Sequence, residues 1–261
     1  MTEYALITGA SSGIGLEIAR IAASRKMNLI LLARNSEKLM QLRNELEEQY
    51  KIKVLAVGCD LSKHDAVRKI TSLLSERGIV PDMLINNAGF GMYGPFERIG
   101  ADTEISMIQL NITSLTELTK VIYRQMRSKG KGKILNLASI ASFMPGAWMA
   151  VYHATKAYVL SFSEALAIEA KGSGVTVTAL CPGPTATGFE DRASAGSGIK
   201  AFGKFGKLPT AKDVAEYGWK SMMKGKTVAI HGRLFRWLIF FTRFMPRKTV
   251  ASIAGKMQKP E

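Results

Sequence analysis

Short apolar runs alternate with amphipathic stretches along most of the chain, and this alternation restricts the folds open to it. Six runs dominated by apolar residues are YALIT, NLILLA, KVLAVG, DMLIN, KILNLAS and VTVTAL. Strands of this kind belong to parallel sheets that helices cover on both faces. The sequence therefore predicts an α/β fold with a Rossmann-like, doubly wound parallel β-sheet, which binds ligands at the carboxyl ends of its strands.

The domain organisation follows from length and composition. No linker divides the 261 residues, and a hydrophobic content of 47% is enough to bury one large core. We therefore expect a single domain over residues 1–261, with a flexible substrate flap at about 183–210 and a basic amphipathic segment at about 233–261. The chain starts without a signal-peptide pattern, and Cys59 and Cys181 lack disulfide or metal spacing, which favours a cytoplasmic protein.

A glycine-rich turn, TGASSGIG, follows the first predicted strand and opens the first predicted helix. Glycine permits a tight turn close to a ligand, and the free N–H groups at a helix start attract negative charge. This context predicts a dinucleotide pyrophosphate site; an ordinary turn is the alternative. The residues concerned are Thr8, Gly9, Ser11, Ser12, Gly13, Ile14 and Gly15.

Arg34 ends the second predicted strand, nineteen positions after Gly15. An acidic residue at this point would hydrogen-bond the adenosine ribose of NAD. A guanidinium can pair instead with a 2′-phosphate, and Asn35 and Lys38 are near enough to help. The sequence therefore favours NADP over NAD, with a solvated strand-end charge as the alternative.

Further motifs resemble those of the short-chain dehydrogenases/reductases, in the same order over roughly residues 2–190. After the TGxxxGxG turn come Asp60, Asn86-Asn87-Ala88-Gly89, Asn111, Ser139, Tyr152-x-x-x-Lys156 and Pro182-Gly183-x-x-x-Thr187. The C-terminal tail is distantly similar to those of family members that reduce long-chain 3-ketoacyl thioesters or steroids. The resemblance implies an NADP(H)-dependent oxidoreductase that interconverts a carbonyl group and a secondary alcohol.

The same resemblance implies roles at the cofactor. Asp60 and Leu61 would contact the adenine, Asn87 and Ala88 its ribose, and residues 182–187 the nicotinamide amide. Asp60 taken alone is also a candidate helix N-cap. The expected cofactor contacts are Thr8, Gly9, Ser11, Ser12, Gly13, Ile14, Gly15, Arg34, Asn35, Lys38, Asp60, Leu61, Asn87, Ala88, Gly89, Tyr152, Lys156, Pro182, Gly183, Thr185 and Thr187.

Tyr152 and Lys156 are spaced i, i+4, so on a helix both side chains leave the same face. A free phenol has a pKa of ~10, and we expect the ammonium and an oxidised nicotinamide to lower it. Tyr152 would then be the general acid in reduction and the general base in oxidation. Ser139 would donate a hydrogen bond to the carbonyl oxygen. By the resemblance, Asn111 holds a water that links Lys156 to solvent, and Lys156 also binds the nicotinamide ribose.

Each of these four residues has an ordinary structural interpretation when it is taken alone: a core Tyr, a surface Lys, or a locally bonded Ser or Asn. Because all four occur together with the cofactor motif and in the order of the family, a catalytic role is favoured for them. A different class of protein, a catalytically silent NADP-binding sensor or scaffold that touches membranes at their periphery, is the alternative, and the intact set argues against it.

Large apolar residues follow the predicted strand ends and suggest a lipophilic or aromatic carbonyl substrate, although such residues are as often core as pocket wall. Ser139, Tyr93 and Trp148 are the predicted substrate contacts. The other candidates for the lining are Phe90, Met92, Phe143, Met144 and Phe189.

The formal charge of +15 is concentrated in the tail, where residues 199–261 hold 14 Lys and Arg against three acidic residues. Arg233, Arg236, Arg243 and Arg247 share one arc of a single helical wheel, with aromatic residues on the rest. Such a helix docks on an anionic membrane, covers the cleft, or forms an oligomer interface.

A second basic cluster could meet an acidic carrier protein or a coenzyme A phosphate, or be a solvated helix end. We expect no nucleic-acid partner, because no recognised module accompanies the charge. We expect no bound metal, because the three histidines lack ligand spacing. We expect the protein to form a homodimer or homotetramer. The cluster consists of Arg124, Arg127, Lys129, Lys131 and Lys133; the histidines are His64, His153 and His231.

Overall fold

The computed structural model describes residues 3–194 and 208–258. Within these residues, seven strands form one parallel sheet in the order β3-β2-β1-β4-β5-β6-β7. The direction in which strands are added reverses between β1 and β4, which is where ligands bind in sheets of this kind. The strands are β1 (Tyr4–Thr8), β2 (Asn28–Ala33), β3 (Val54–Gly58), β4 (Met83–Asn86), β5 (Gly132–Leu137), β6 (Val175–Cys181) and β7 (Val228–Ile230).

Ten α-helices are described, and most of them connect successive strands. They are α1 (Gly13–Ser24), α2 (Ser36–Tyr50), α3 (Ala66–Glu76), α4 (Ala101–Ile108), α5 (Leu115–Lys129), α6 (Ala150–Glu169), α7 (Phe189–Ala193), α8 (Ala211–Met223), α9 (Arg233–Thr242) and α10 (Arg247–Gln258). A π-helical turn, Gln109–Ser114, joins α4 to α5, and two 3-10 turns span Phe96–Arg98 and Ile140–Phe143.

The two faces of the sheet are both buried. Ile7 packs with α1, α2 and α8 on one face, whereas its neighbour Leu6 packs with α3 and α5 on the other. This alternation follows from the strand geometry, because successive side chains point to opposite faces. The predicted doubly wound α/β fold is confirmed.

The predicted flap at about 183–210 is described only in part. Residues 183–194 include α7, and Ala186 forms an isolated parallel bridge with Thr210. Residues 195–207 lie outside the described residues. The expectation of a flexible flap stays a prediction.

The C-terminal segment is not one helix. α9 ends at Thr242, Pro246 follows, and α10 begins at Arg247. Arg247 therefore lies on a different helix from Arg233 and Arg236, and the single helical wheel predicted from the sequence is wrong. Proline explains the break, since it lacks the N–H that would continue the helix. No helix within the described ranges has the length and apolar character needed to cross a membrane.

Candidate active site

Most of the predicted cofactor residues lie at the carboxyl edge of the sheet, at strand ends or in the segments that follow them, and Tyr152 and Lys156 lie on α6. The glycine turn (residues 8–15) follows β1, Arg34 and Asn35 follow β2, and Asp60 follows β3. Residues 87–89 come after β4, and residues 182–187 after β6. The structure thus brings these segments to one edge, where the fold predicts a ligand.

Two glycines of the turn, Gly9 and Gly15, leave no room for a side chain. Gly9 and Gly13 have φ values of +66° and +58°, which favour glycine. A Cβ on Gly9 would lie 2.7 Å from Asn87 Nδ2, and one on Gly15 would collide with the same amide and with Gly9 O. The bare backbone therefore leaves the start of α1 open to a pyrophosphate, so the turn fits a dinucleotide.

Thr8 and Asn87 join the glycine turn to the end of β4. Thr8 Oγ1 accepts hydrogen bonds from Asn87 N at 2.9 Å and from Ala88 N at 2.8 Å. Asn87 Nδ2 donates to Thr8 O at 2.9 Å and to Gly9 O at 3.1 Å. These bonds fix two of the predicted cofactor segments against each other.

The adenosine end combines a cation with structural polar groups. Arg34 is exposed beyond β2, whereas the Asn35 side chain caps α2 by accepting a hydrogen bond from Lys38 N at 2.8 Å. Burial alone would raise the pKa of the Asp60 carboxyl, but hydrogen bonds from Ser62 N and Oγ, together with the charge of Arg34, hold it below its usual value. Asp60 thus stabilises the turn at residues 60–62 and is not a helix N-cap, because the N-cap residue of α3 is Asp65.

Asn111 lies in the π-helical turn, which the sequence did not predict. Its amide is almost fully buried, and Nδ2 donates to Phe90 O at 2.9 Å and to Thr155 Oγ1 at 3.1 Å. Oδ1 accepts from Phe90 N at 3.2 Å. π-turns are frequent at functional sites, and here the turn directs the amide towards the loop after β4 and towards α6.

Ser139 follows β5 and starts the 3-10 turn that leads to α6. Its Oγ accepts a hydrogen bond from Ala141 N at 3.1 Å, and Ile140 N donates to Pro182 O at 2.9 Å. Ser142 Oγ accepts from Ser139 N at 3.3 Å and donates to Lys156 O at 2.7 Å. One hydroxyl therefore ties the Ser139 segment to the Lys156 segment. Sequence inspection missed Ser142, because a serine three positions after another is common.

Tyr152 and Lys156 lie one turn apart on α6 and are both buried, with 8% and 5% of their surface exposed. Lys156 Nζ is 5.8 Å from the centre of the Tyr152 ring and donates to Leu137 O at 2.7 Å. The Ser139 side chain is near enough to the Tyr152 phenol to lower its pKa. Three of the four predicted catalytic side chains therefore form one cluster, and the fourth, Asn111, approaches it at Gly89, where an added Cβ would lie 3.0 Å from Asn111 Oδ1 and 3.6 Å from Lys156 Nζ.

Burial controls the protonation of this cluster. It raises the pKa of the Tyr152 phenol to about 12, although the Ser139 side chain opposes the rise. It lowers the pKa of the Lys156 ammonium to about 8. The expectation that the neighbouring ammonium lowers the phenol pKa is therefore wrong for the protein alone, because desolvation penalises the phenolate more strongly.

Apolar side chains cover Tyr152. Tyr93, Met107, Met149, Tyr152 and Ala193 pack in one cluster, and partly buried residues lie against it, namely Phe90, Met92, Trp148, Val151 and Phe189. The rings of Phe189 and Tyr152 are 5.4 Å apart. Phe143, also predicted to line the site, packs instead with α6 and β6 residues such as Val159 and Cys181, because its 3-10 turn directs it to the sheet.

Backbone hydrogen bonds close the loops around this apolar cluster. Tyr93 N donates to Ala193 O at 2.9 Å, and Gly94 N donates to Trp148 O at 2.8 Å. Trp148 has a φ of +63°, which is uncommon for a residue with a side chain. Met144 O is bonded at 2.8 Å to Nδ1 of His153, which is buried and serves the loop rather than the chemistry.

The segment after β6 reaches back over the glycine turn. A Cβ on Gly13 would lie 3.5 Å from Thr187 Cγ2, and Thr185 Oγ1 donates to Gly183 O at 2.9 Å. The segment predicted to meet the nicotinamide is thus held beside the segment predicted to meet the pyrophosphate.

The second basic cluster lies at the other edge of the sheet. Lys129 ends α5 and Lys131 precedes β5, and they pair with Asp82 and Glu3 at 2.6 and 3.2 Å. Ser139 stands at the opposite end of β5. Two cations of this cluster are thus engaged by carboxylates of the protein, which favours the helix-end interpretation over a coenzyme A phosphate site.

The fold and the site together define a Rossmann-type protein with a buried Ser-Tyr-Lys group at its dinucleotide edge. The model of the short chain dehydrogenase family matches residues 3–197. The chain belongs to this family, as its motifs suggested.

Three similar proteins extend this finding. Very-long-chain 3-oxoacyl-CoA reductase of Mus musculus is 33% identical over 189 residues, 71% of this chain and 60% of that protein. 17-beta-hydroxysteroid dehydrogenase type 3 of Homo sapiens is 35% identical over 184 residues, 70% of this chain and 59% of that protein. The match thus spans about 60% of these relatives. A solved short-chain dehydrogenase of Sphingobium yanoikuyae in complex with NADPH has a TM-score of 0.82, 31% identity and 93% coverage of both chains.

Proposed function

We propose that the protein is an NADP(H)-dependent oxidoreductase that reduces an apolar ketone to a secondary alcohol. The observation that carries this proposal is the buried Ser139-Tyr152-Lys156 cluster beside the glycine turn. A proton donor, its charged neighbour and a dinucleotide-compatible turn lie at one edge of the sheet. This combination suits the transfer of a hydride and a proton to a carbonyl group.

The residues present fit the cofactor. The glycine turn would hold the pyrophosphate, Arg34 the 2′-phosphate, and Lys156 the nicotinamide ribose. When bound, NADPH supplies the hydride. The similar Sphingobium yanoikuyae protein was solved with NADPH, which supports this cofactor.

Side chains of the protein donate the proton and bind the carbonyl oxygen of the substrate. With a pKa of about 12, Tyr152 is protonated at neutral pH and is ready to donate to the carbonyl oxygen. Ser139 Oγ donates a second hydrogen bond to that oxygen, and Lys156 compensates for the charge left on the phenolate. The apolar cluster around Tyr152 excludes water, which strengthens these interactions.

The substrate class follows from the lining and the relatives. Tyr93, Trp148 and Phe189 form an apolar wall next to Tyr152. The two curated relatives named above are a 3-oxoacyl-CoA reductase and a hydroxysteroid dehydrogenase. A 3-ketoacyl thioester or a steroid-like ketone is therefore the substrate that we propose. A catalytically silent sensor has no support from these relatives or from the assembled cluster.

A panel of substrates tests this proposal. NADPH oxidation by the purified protein should be fast with 3-ketoacyl thioesters or steroid ketones and slow with sugars or small keto acids. The difference is expected because a buried apolar wall leaves polar hydroxyl groups without partners. If the protein turned over none of these carbonyl compounds, that result would contradict its assignment as an enzyme.

The pH profile depends on Lys156, whose pKa is lowered to about 8. Below that pH the ammonium is charged and can bind the ribose, and above it the charge is lost. We therefore expect kcat/KM for NADPH, which reports on the free enzyme, to fall as the pH rises through about 8. Lys156→Arg should extend the plateau to higher pH at a lower rate, since a guanidinium stays protonated. A flat wild-type profile up to about pH 10 would contradict this role.

We also propose that the protein works in the cytoplasm as a homodimer or homotetramer and contacts membranes at their periphery. Exposed apolar side chains on α4 and α6 support an oligomer: Ile105, Tyr158 and Ile168. Light scattering on the purified protein would measure the mass directly, and a monomer would refute the oligomer.

A further inference from the structure

The outer face of α9 is apolar and exposed. Trp237 is 63% exposed, and Phe244, just beyond the end of α9, is 73% exposed. Rings on this face contact each other, for example Trp237 and Phe241 with centres 6.2 Å apart. We call this set the α9 face: Leu234, Trp237, Leu238, Phe240, Phe241 and Phe244.

The α9 face is directed away from the protein. Ile239 is only 3% exposed, and the Phe235 ring packs on Gly183. At ~100° per residue, Trp237 and Phe241 point to the side opposite Phe235 and Ile239. α9 therefore uses one narrow stripe for packing and leaves a wider apolar face exposed. Large contiguous apolar surfaces on soluble proteins mark interaction sites.

The charge around this face favours an anionic occupant. The only acidic residue from 231 to the end is the terminal Glu261. Two copies of the face would bring like charges together, which opposes self-association. An anionic lipid surface would attract them, and exposed Trp and Phe are suited to the interface between lipid and water. The cations that flank the face in the sequence are Arg233, Arg236, Arg243, Arg247 and Lys248.

α9 also stands beside the active site. Phe235 contacts Gly183, in the segment predicted to meet the nicotinamide, and α9 packs against the 3-10 turn that follows Ser139. A surface that held the α9 face would thus lie close to the cluster that performs the proposed chemistry.

We propose that the α9 face docks on the surface of an anionic lipid bilayer, so that an apolar ketone dissolved in the bilayer reaches Tyr152 from there. The docking itself rests on α9 alone, and the entry of the ketone rests on the proposed function. α9 lies in the interface plane, with its aromatic residues among the acyl chains and its arginines at the headgroups.

The tryptophans make docking directly measurable. The chain has three, of which Trp219 is buried, Trp148 is partly buried and Trp237 is exposed. Vesicles of phosphatidylcholine with phosphatidylglycerol should shift the emission of the wild type to shorter wavelength and should sediment the protein. Trp237→Phe should still sediment but lose the shift, because the apolar face is retained and the reporter is removed.

Charge substitution then tests the face. Trp237→Glu combined with Phe241→Glu should weaken sedimentation by about tenfold or more. Met40→Glu combined with Met223→Glu, a matched double change at exposed residues of α2 and α8, should leave it intact. Absence of sedimentation even at low salt, equal binding by the double variant, or binding to neutral vesicles alone would each overturn the proposal. A loss of oligomer mass in the double variant would also overturn it, since a second copy would then cover the face.

Measuring NADPH oxidation beside vesicle binding separates the docking proposal from the proposed function. NADPH oxidation with a water-soluble ketone should be the same in the wild type and the double variant, whereas turnover of a vesicle-dissolved ketone should fall in the variant. A protein that binds vesicles but oxidises no NADPH would refute the proposed function and leave the docking intact.

Discussion

Tyr152→Phe is expected to lower kcat for ketone reduction by about a thousandfold and to leave NADPH affinity nearly unchanged. The substitution removes only the hydroxyl, and the ring that packs on Phe189 stays in place. Without the phenol, no buried group at this position donates a proton to the carbonyl oxygen. Stopped-flow absorbance at saturating NADPH measures the rate, and fluorescence titration of NADPH measures the affinity.

Tyr158→Phe is the matched control for this substitution. Tyr158 lies on the same helix, but its hydroxyl is exposed and bonded to Thr116 Oγ1 at 3.0 Å. Loss of that hydroxyl should leave kcat within about twofold, as is usual for surface changes. Equal rates for the wild type and Tyr152→Phe would refute the role of Tyr152 as general acid.

The sequence was sufficient to predict the elements that depend on local pattern. Apolar runs gave the parallel sheet, and the i, i+4 spacing placed Tyr152 and Lys156 on one helix face. Short-range rules suffice here, because side-chain direction in a helix or strand depends on position alone.

Features that depend on distant contacts were missed or misjudged. The π-turn that buries Asn111 follows from its bonds to Phe90 and Thr155, which no local pattern encodes. The raised pKa of Tyr152 depends on burial by four separate segments of chain. Phe143 was predicted as pocket lining from its position between Ser139 and Tyr152, yet a 3-10 turn points it to the sheet. The break at Pro246, by contrast, could have been predicted from the proline itself.

Arg34 is expected to determine the preference for NADPH over NADH. Arg34→Asp should weaken NADPH binding by about a hundredfold or more, because a charge-assisted bond contributes ~1.5–3 kcal/mol and each 1.4 kcal/mol is about tenfold. The introduced carboxylate would also repel the 2′-phosphate. NADH binding should be unchanged or tighter, since an acid at this strand end can accept hydrogen bonds from the ribose.

Arg25→Asp separates this local effect from the overall charge. Arg25 is exposed at the end of α1, at the amino edge of the sheet, so the substitution changes the net charge equally but away from the cofactor edge. We expect it to leave the ratio of NADPH to NADH affinity unchanged, whereas Arg34→Asp should reverse that ratio. Calorimetric titration of both nucleotides against both variants measures the ratio. If Arg34→Asp kept the wild-type preference, the 2′-phosphate contact would be refuted, and Arg34 would be a solvated charge beyond β2.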